Sequence, residues 1–210
     1  MSPIRPATAS DLGTIARLHE SAFRGFFLTK LGRPFLCRYY EAVLSCPTGI
    51  LLVAEEGGGI AGLVAGFGRP AMFYRSLRRR ALRLGLAMLP RLARSPSLLV
   101  RAVADFRRTG DGDPSADVSV AELSSLAVDP AFAGKGVGSA LVTEFLRAAT
   151  SRGASSVRLT TDVHDNEAVN AFYRRLGFMV RRTFEATPGR LLNEFEIELG
   201  PSRTECARRF

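Results

Sequence analysis

Apolar residues recur along this chain with two different periods. Ile4 and Arg5 open an apolar–polar stretch that predicts an edge strand. Leu12, Ile15, Ala16, Leu18 and His19 follow at spacings of three and four, which predicts an amphipathic helix from a cap at Ser10 or Asp11 to about Phe23. A second helix is expected over 33–44, with Pro34 in its first turn and Phe35, Leu36, Tyr39, Tyr40 and Val43 as its apolar face. The β-rich runs 50–55 and 60–67, joined by Gly57, Gly58 and Gly59, read as a hairpin. Helical period returns over 71–108, interrupted by Pro90 and Pro96, with a second helix expected from Ser97 to Arg107. A polar loop, 109–116, comes next. The remainder alternates: strand 117–128, helix 138–151, strand 156–163, helix 166–175, then strands 178–185 and 191–199. Helices packed on a central sheet give a mixed α/β architecture. One domain over 1–200, carrying a helical insert at 69–116, accounts for the order, with 201–210 as a tail. The apolar Leu191, Phe195 and Ile197 of the last strand suggest pairing across a homodimer.

Composition narrows the class. The 210 residues are 46% hydrophobic and 23% charged, which excludes a disordered chain, a collagen-like repeat and a coiled-coil rod. A single domain of this length buries roughly 70% of its unfolded surface. No apolar run reaches the roughly 18 residues of a membrane span. Residues 1–11 lack the basic start and apolar block of a signal peptide. Cys37, Cys46 and Cys206 form neither a CxxC pair nor an even disulfide set, so a reducing, cytoplasmic location is expected. His19 and His164 lie far apart, and no metal site is expected; His19 reads as a helix-face residue.

The net charge of +9 is concentrated. Residues 69–108 hold eleven Arg against Asp105 alone, and the rest of the chain is nearly neutral. Arg75, Arg78, Arg79 and Arg83 fall opposite Phe73, Leu77, Ala81, Leu84 and Met88 on a helical wheel. The block reads as a solvated face, as an electropositive wall attracting an anionic acceptor, or as a surface for peripheral membrane contact. Nucleic acid is the weakest partner, since no aromatic residues interleave in the pattern of a nucleic-acid module.

The chemistry concentrates in Glu122–Leu141, ELSSLAVDPAFAGKGVGSAL. A strand ending at Val128 and stopped by Pro130 runs through Gly134, Gly136 and Gly138 into a helix. Glycines let the chain turn tightly and let a ligand approach the backbone. The unpaired first amides of the helix suit an anion, phosphate above all, and Lys135 adds a charge. A P-loop is excluded because no Lys-Ser/Thr follows the last glycine. A dinucleotide fingerprint is excluded by the G-x-G-x-G spacing and by its place past mid-chain.

Asp129-Pro130 followed by Ala133-Gly134-Lys135-Gly136-Val137-Gly138 resembles the coenzyme-A pyrophosphate loop of the GNAT superfamily of N-acetyltransferases. Ala133 stands where the family pattern has Arg or Gln. A second block, Asn166-Glu167-Ala168-Val169-Asn170-Ala171-Phe172-Tyr173 to Leu176-Gly177-Phe178, resembles the family's later motif and stands in the family's order. The resemblance is close over about 117–185 and extends over 4–67 in element order only; the basic insert lies outside it.

The resemblance implies a mostly antiparallel GNAT-like sheet, acetyl-CoA as co-substrate, no metal, and an amine-bearing acceptor; the basic block points to an anionic, amino-sugar-like small molecule in that role. Ala133, Gly134, Lys135, Gly136, Val137, Gly138 and Ser139 would hold the pyrophosphate. Leu126, Ala127 and Val128 would offer main-chain groups to the pantetheine, and Asn166, Asn170 and Phe172 would complete the cofactor side, with Asn166 capping its helix. Tyr173 falls on the family's proton donor to the coenzyme sulfur. Glu122 is the candidate base: its strand parity matches Val118 and Val120, and apolar surroundings raise a carboxyl pKa. Two other readings stay open, an acyl-CoA-binding sensor without turnover and a membrane-surface adaptor.

Overall fold

The computed structural model describes residues 2–79 and 119–200. The chain runs β1 (Ile4–Pro6), α1 (Leu12–Ala22), α2 (Phe27–Lys30), α3 (Arg33–Leu44), β2 (Gly49–Glu56), β3 (Gly59–Phe67), α4 (Pro70–Arg79), β4 (Val120–Val128), α5 (Val137–Ser151), β5 (Ser156–Asp162), α6 (Glu167–Arg175), β6 (Met179–Thr187) and β7 (Arg190–Glu198). Short 3-10 turns at Ala9–Asp11 and Pro130–Phe132 precede α1 and α5. The strands form one sheet in the order β1-β2-β3-β4-β5-β7-β6, antiparallel except where β4 meets β5. This is the mixed α/β architecture that the sequence pattern predicts, with the mostly antiparallel sheet that the family resemblance implies.

The sheet separates two apolar clusters. Under α1, α3 and α4 lie Ile15, Tyr40, Val53, Leu63, Phe67 and Phe73; under α5 and α6 lie Val64, Leu123, Leu141, Phe145, Tyr173 and Phe195. The alternation of β3 explains the division, since Leu63 and Ala65 face one side and Val64 the other. At Gly66 the fold admits no side chain: a Cβ there would sit 2.0 Å from the Glu122 carbonyl oxygen and 2.6 Å from the Phe145 ring. That glycine brings α5 down onto the sheet next to Glu122.

Several expectations change. β7 lies between β5 and β6 and has no free edge, so it cannot pair across a dimer as its apolar residues suggested; the edge strands of the sheet are β1 and β6. Phe195 instead fills the cluster beneath α6. His19 keeps its expected place on the apolar face of α1, and that face is buried. His19 is 3% exposed, and its Nδ1 lies 2.8 Å from the Tyr40 hydroxyl, an O···N hydrogen bond across the first cluster. Of the expected basic insert, α4 is helical as anticipated; the rest of that insert, residues 117–118 and the tail lie outside the described residues. Among the described residues no helix is long and apolar enough to cross a membrane.

Candidate active site

β4 builds the centre of the site by leaving its parallel neighbour. It pairs with β5 only through Val120–Ser156, Ala121–Val157 and Glu122–Arg158. Beyond Glu122 its other edge stays bonded to β3, from Leu123–Gly66 to Val128–Gly62, while β5 stays bonded to β7. The two strands therefore part like the arms of a V. Among the described residues the β5-facing main chain of Leu123–Val128 has no strand partner. Within this stretch the register with β3 slips, Ser125 pairing with Ala65 and Leu123 with Gly66, which leaves Ser124 as an extra, bulged residue.

The glycine turn closes the arm of the V. Asp129 caps the 3-10 turn, its Oδ1 accepting from the Ala131 amide at 2.9 Å. Gly136 occupies the left-handed region (φ 80°) that an L side chain disfavours, and it is the N-cap of α5. No side chain caps this end; the first intrahelical bond there is from Ala140 N–H to the Gly136 carbonyl. The amides of Val137, Gly138 and Ser139 thus precede the helical ladder and carry the positive end of a 15-residue helix. The Lys135 ammonium lies 5.0 Å from the centre of the Phe132 ring. Gly138 is packed by Val128 and the Phe172 ring, so α6 leans directly on the first turn of α5.

The later motif divides. Asn166 occupies the N-cap position of α6, but its side chain makes no capping bond; its amide donates instead to the Asp162 carbonyl at 3.3 Å. The cap expected from the sequence is replaced by a tie back to β5. Asn170, 4% exposed, donates to the same carbonyl at 3.0 Å and accepts from Thr161 Oγ1 at 2.6 Å. Both asparagines fasten α6 to β5. Tyr173 is 6% exposed, its ring set edge-on to Phe172 and Phe178. Burial raises its hydroxyl pKa well above the ordinary tyrosine value. That hydroxyl has no hydrogen-bond partner among the described residues.

Glu122 looks to the opposite face of the sheet. The Tyr74 hydroxyl of α4 donates to its Oε1 at 2.7 Å. Nearby, the Tyr39 hydroxyl donates to Ser124 Oγ at 3.3 Å, and Ser124 donates to the Ala65 carbonyl at 3.2 Å. Desolvation is the largest cause that pushes the Glu122 carboxyl pKa upward, with repulsion from Glu194 adding to it; the Tyr74 hydrogen bond acts the other way. The raised direction anticipated from strand parity is present. Among the described residues no hydrogen bond joins Glu122 to Tyr173: Glu122 is held by Tyr74 of α4, and Tyr173 packs in the cluster under α5 and α6. Sequence reasoning missed Tyr74, Tyr39 and Ser124. The one signal was Phe73-Tyr74, two aromatics side by side in an arginine-rich helix. Among the described residues no group of His, Cys, Asp and Glu could hold a metal ion.

The profile of the acetyltransferase (GNAT) family matches residues 14–178. An uncharacterized N-acetyltransferase of Methanocaldococcus jannaschii is 42% identical over 59 residues, 28% of this chain and 26% of that protein. The match thus spans about a quarter of that curated relative's length. Three solved structures share the fold. The N-acetyltransferase from Staphylococcus aureus has a TM-score of 0.62 at 17% identity, over 95% of this chain and 99% of that one. The ribosomal-protein-alanine N-acetyltransferase from Brucella melitensis has 0.62 at 17% over 94% and 99%. A Salmonella typhimurium protein assigned as an acetyltransferase, solved with its cofactor acetyl-CoA, has 0.59 at 18% over 94% of each chain.

Proposed function

This chain belongs to the acetyltransferase (GNAT) family, and from that premise we propose that it transfers an acetyl group from acetyl-CoA to a primary amine by direct attack in a ternary complex. The observation that carries this reading is the V between β4 and β5, which opens onto the uncapped amides at the start of α5. The pyrophosphate binds Gly134–Ser139, with main-chain donors doing the work that Ala133 cannot. The pantetheine lies along the free edge of Leu126–Val128, pairing its two amides with main-chain groups, and Phe172 forms the wall beside Gly138.

An ammonium with pKa ~10.4 costs roughly 4–5 kcal/mol to deprotonate at pH 7. Glu122 accepts that proton at a carboxylate made more basic by burial. The amine nitrogen bonds to the acetyl carbon, the carbon–sulfur bond breaks, and the leaving thiolate takes its proton from Tyr173; the second proton that the nitrogen sheds as the amide forms restores the Tyr173 hydroxyl. The high pKa of Tyr173 keeps it protonated until that moment.

The acceptor is a small molecule that presents its amine to Glu122 and an anionic group, as an amino sugar phosphate would, to the basic block. The place of α4 supports this: it brings the start of that block to the candidate base through Tyr74, with Arg75 exposed beside it. The test is thioester consumption by purified protein against a panel of amines. Turnover with phosphorylated amino sugars above that with neutral amines is expected, and binding of acetyl-CoA without turnover against any amine would replace the enzyme with a sensor. Charge reversal at Arg75, Arg78 and Arg79 should raise the acceptor KM far more than the acetyl-CoA KM; equal changes would refute the placement of the acceptor.

A further inference from the structure

α4 is the first helix of the segment that joins β3 to β4, and it is pinned at the candidate base by two adjacent residues. The Phe73 ring is stacked on Phe67, 3.7 Å apart and 11° from parallel, and Phe67 is the register partner of Glu122. Tyr74, the next residue, sits edge-on to Phe67 at 5.8 Å and places its hydroxyl 2.7 Å from Glu122 Oε1. Adjacent residues of a helix point about 100° apart, so the stack and the hydrogen bond fix the rotation of α4 from two directions. Glu122 Oε2 has no hydrogen-bond partner among the described residues, whereas Oε1 is taken by Tyr74.

Resting on the reading of Glu122 as the base, we propose that Tyr74 is a positioning residue: its hydroxyl occupies Oε1 and thereby turns Oε2 toward the acceptor amine. The other groups that face Glu122 do not duplicate this bond. Tyr39 of α3 spends its donor on Ser124. Glu194 of β7 is an anion held by Arg181 and Arg182. Arg158, the register partner on β5, is paired with Glu196. Tyr74 keeps its proton throughout, because burial and the neighbouring carboxylate both hold its ionisation far above the ordinary tyrosine value. The proton from the amine therefore goes to Oε2, and no proton leaves Tyr74.

The inference is tested with Tyr74→Phe, which keeps the ring against Phe67 and removes only the hydroxyl. The side-chain carboxyl of Glu122 is followed by carbon NMR across a pH titration in protein labelled at glutamate, its signal assigned by loss in Glu122→Gln. Losing a donor to the charged form should raise the Glu122 midpoint, roughly tenfold in proton affinity. The acid limb of kcat/KM should move with it, and acetyl-CoA affinity should stay unchanged. A folded Tyr74→Phe protein with an unmoved midpoint overturns the role of Tyr74 alone. A midpoint that moves while the acid limb stays put overturns Glu122 as the base, and the positioning role with it.

Discussion

The two sides of β4 are built on different principles. The side toward β5 and α5 works through main chain: an unpaired strand edge from Leu123 to Val128, a left-handed turn at Gly136 and uncapped helix amides. The side toward α3 and α4 works through side chains, with Tyr74 hydrogen-bonded to Glu122 and Tyr39 to Ser124 across 48 and 85 positions of sequence. Main-chain recognition suits a part of a ligand that never changes, because any sequence that makes the turn makes the donors. Side-chain recognition suits a part that differs from enzyme to enzyme. On the proposed function, the common cofactor belongs to the first side and the particular acceptor to the second.

The largest expected effect breaks that division at its acceptor side. Glu122→Gln should lower kcat by about 10²–10⁴ at neutral pH, with the loss shrinking as pH rises and the amine deprotonates unaided. Steady-state rates from pH 6 to 10 check this. The same variant should be more stable than the parent near pH 7. A carboxyl whose folded pKa is raised favours folding when protonated, and this contribution is lost as pH rises through the folded value.

Next is acid stability, which should also distinguish the two faces. Burial pushes His19 down to about 4 from 6.5. The unfolded chain therefore takes up a proton that the folded chain refuses, and stability falls as pH drops from about 6.5 to about 4, by roughly 3 kcal/mol in full. Urea unfolding at pH 7.5 and pH 5 should show the loss in the parent and a smaller one in His19→Gln. Equal losses would remove His19 as the cause.

Tyr173→Phe should then cost about 10²-fold in kcat while leaving acetyl-CoA affinity and stability nearly unchanged, because the hydroxyl has no hydrogen-bond partner among the described residues to lose. A fall in stability with no fall in rate would make Tyr173 a packing residue. The smallest effect sharpens the cofactor side: Gly136→Ala should cost about 1–2 kcal/mol of stability through its left-handed backbone and weaken acetyl-CoA, with acceptor KM unmoved.

The same contrast explains what could be read from the sequence. The elements, the sheet class and the glycine turn were legible because each is written locally, in apolar period or in residues that alone tolerate a turn. The raised pKa of Glu122 followed from strand parity. Asn166 misled because its residue type suits a cap, whereas the Asp162 carbonyl of the preceding strand competes for its amide. Tyr74 was invisible because its partner lies 48 residues away and only the pairing of β3 with β4 brings α4 to that place. The edge position of β6 was likewise hidden, since strand order is decided by which surfaces must be covered and not by any one strand's composition.

The central claim is that bare amides at the start of α5 grip the diphosphate of acetyl-CoA. Titration of nitrogen-labelled protein with acetyl-CoA measures it directly. The amides of Gly136–Ser139 should shift furthest, followed by those of Leu126–Val128, and dephosphorylated pantetheine should move only the second group. Saturable binding that leaves residues 136–139 unmoved, or no binding at all, would contradict it.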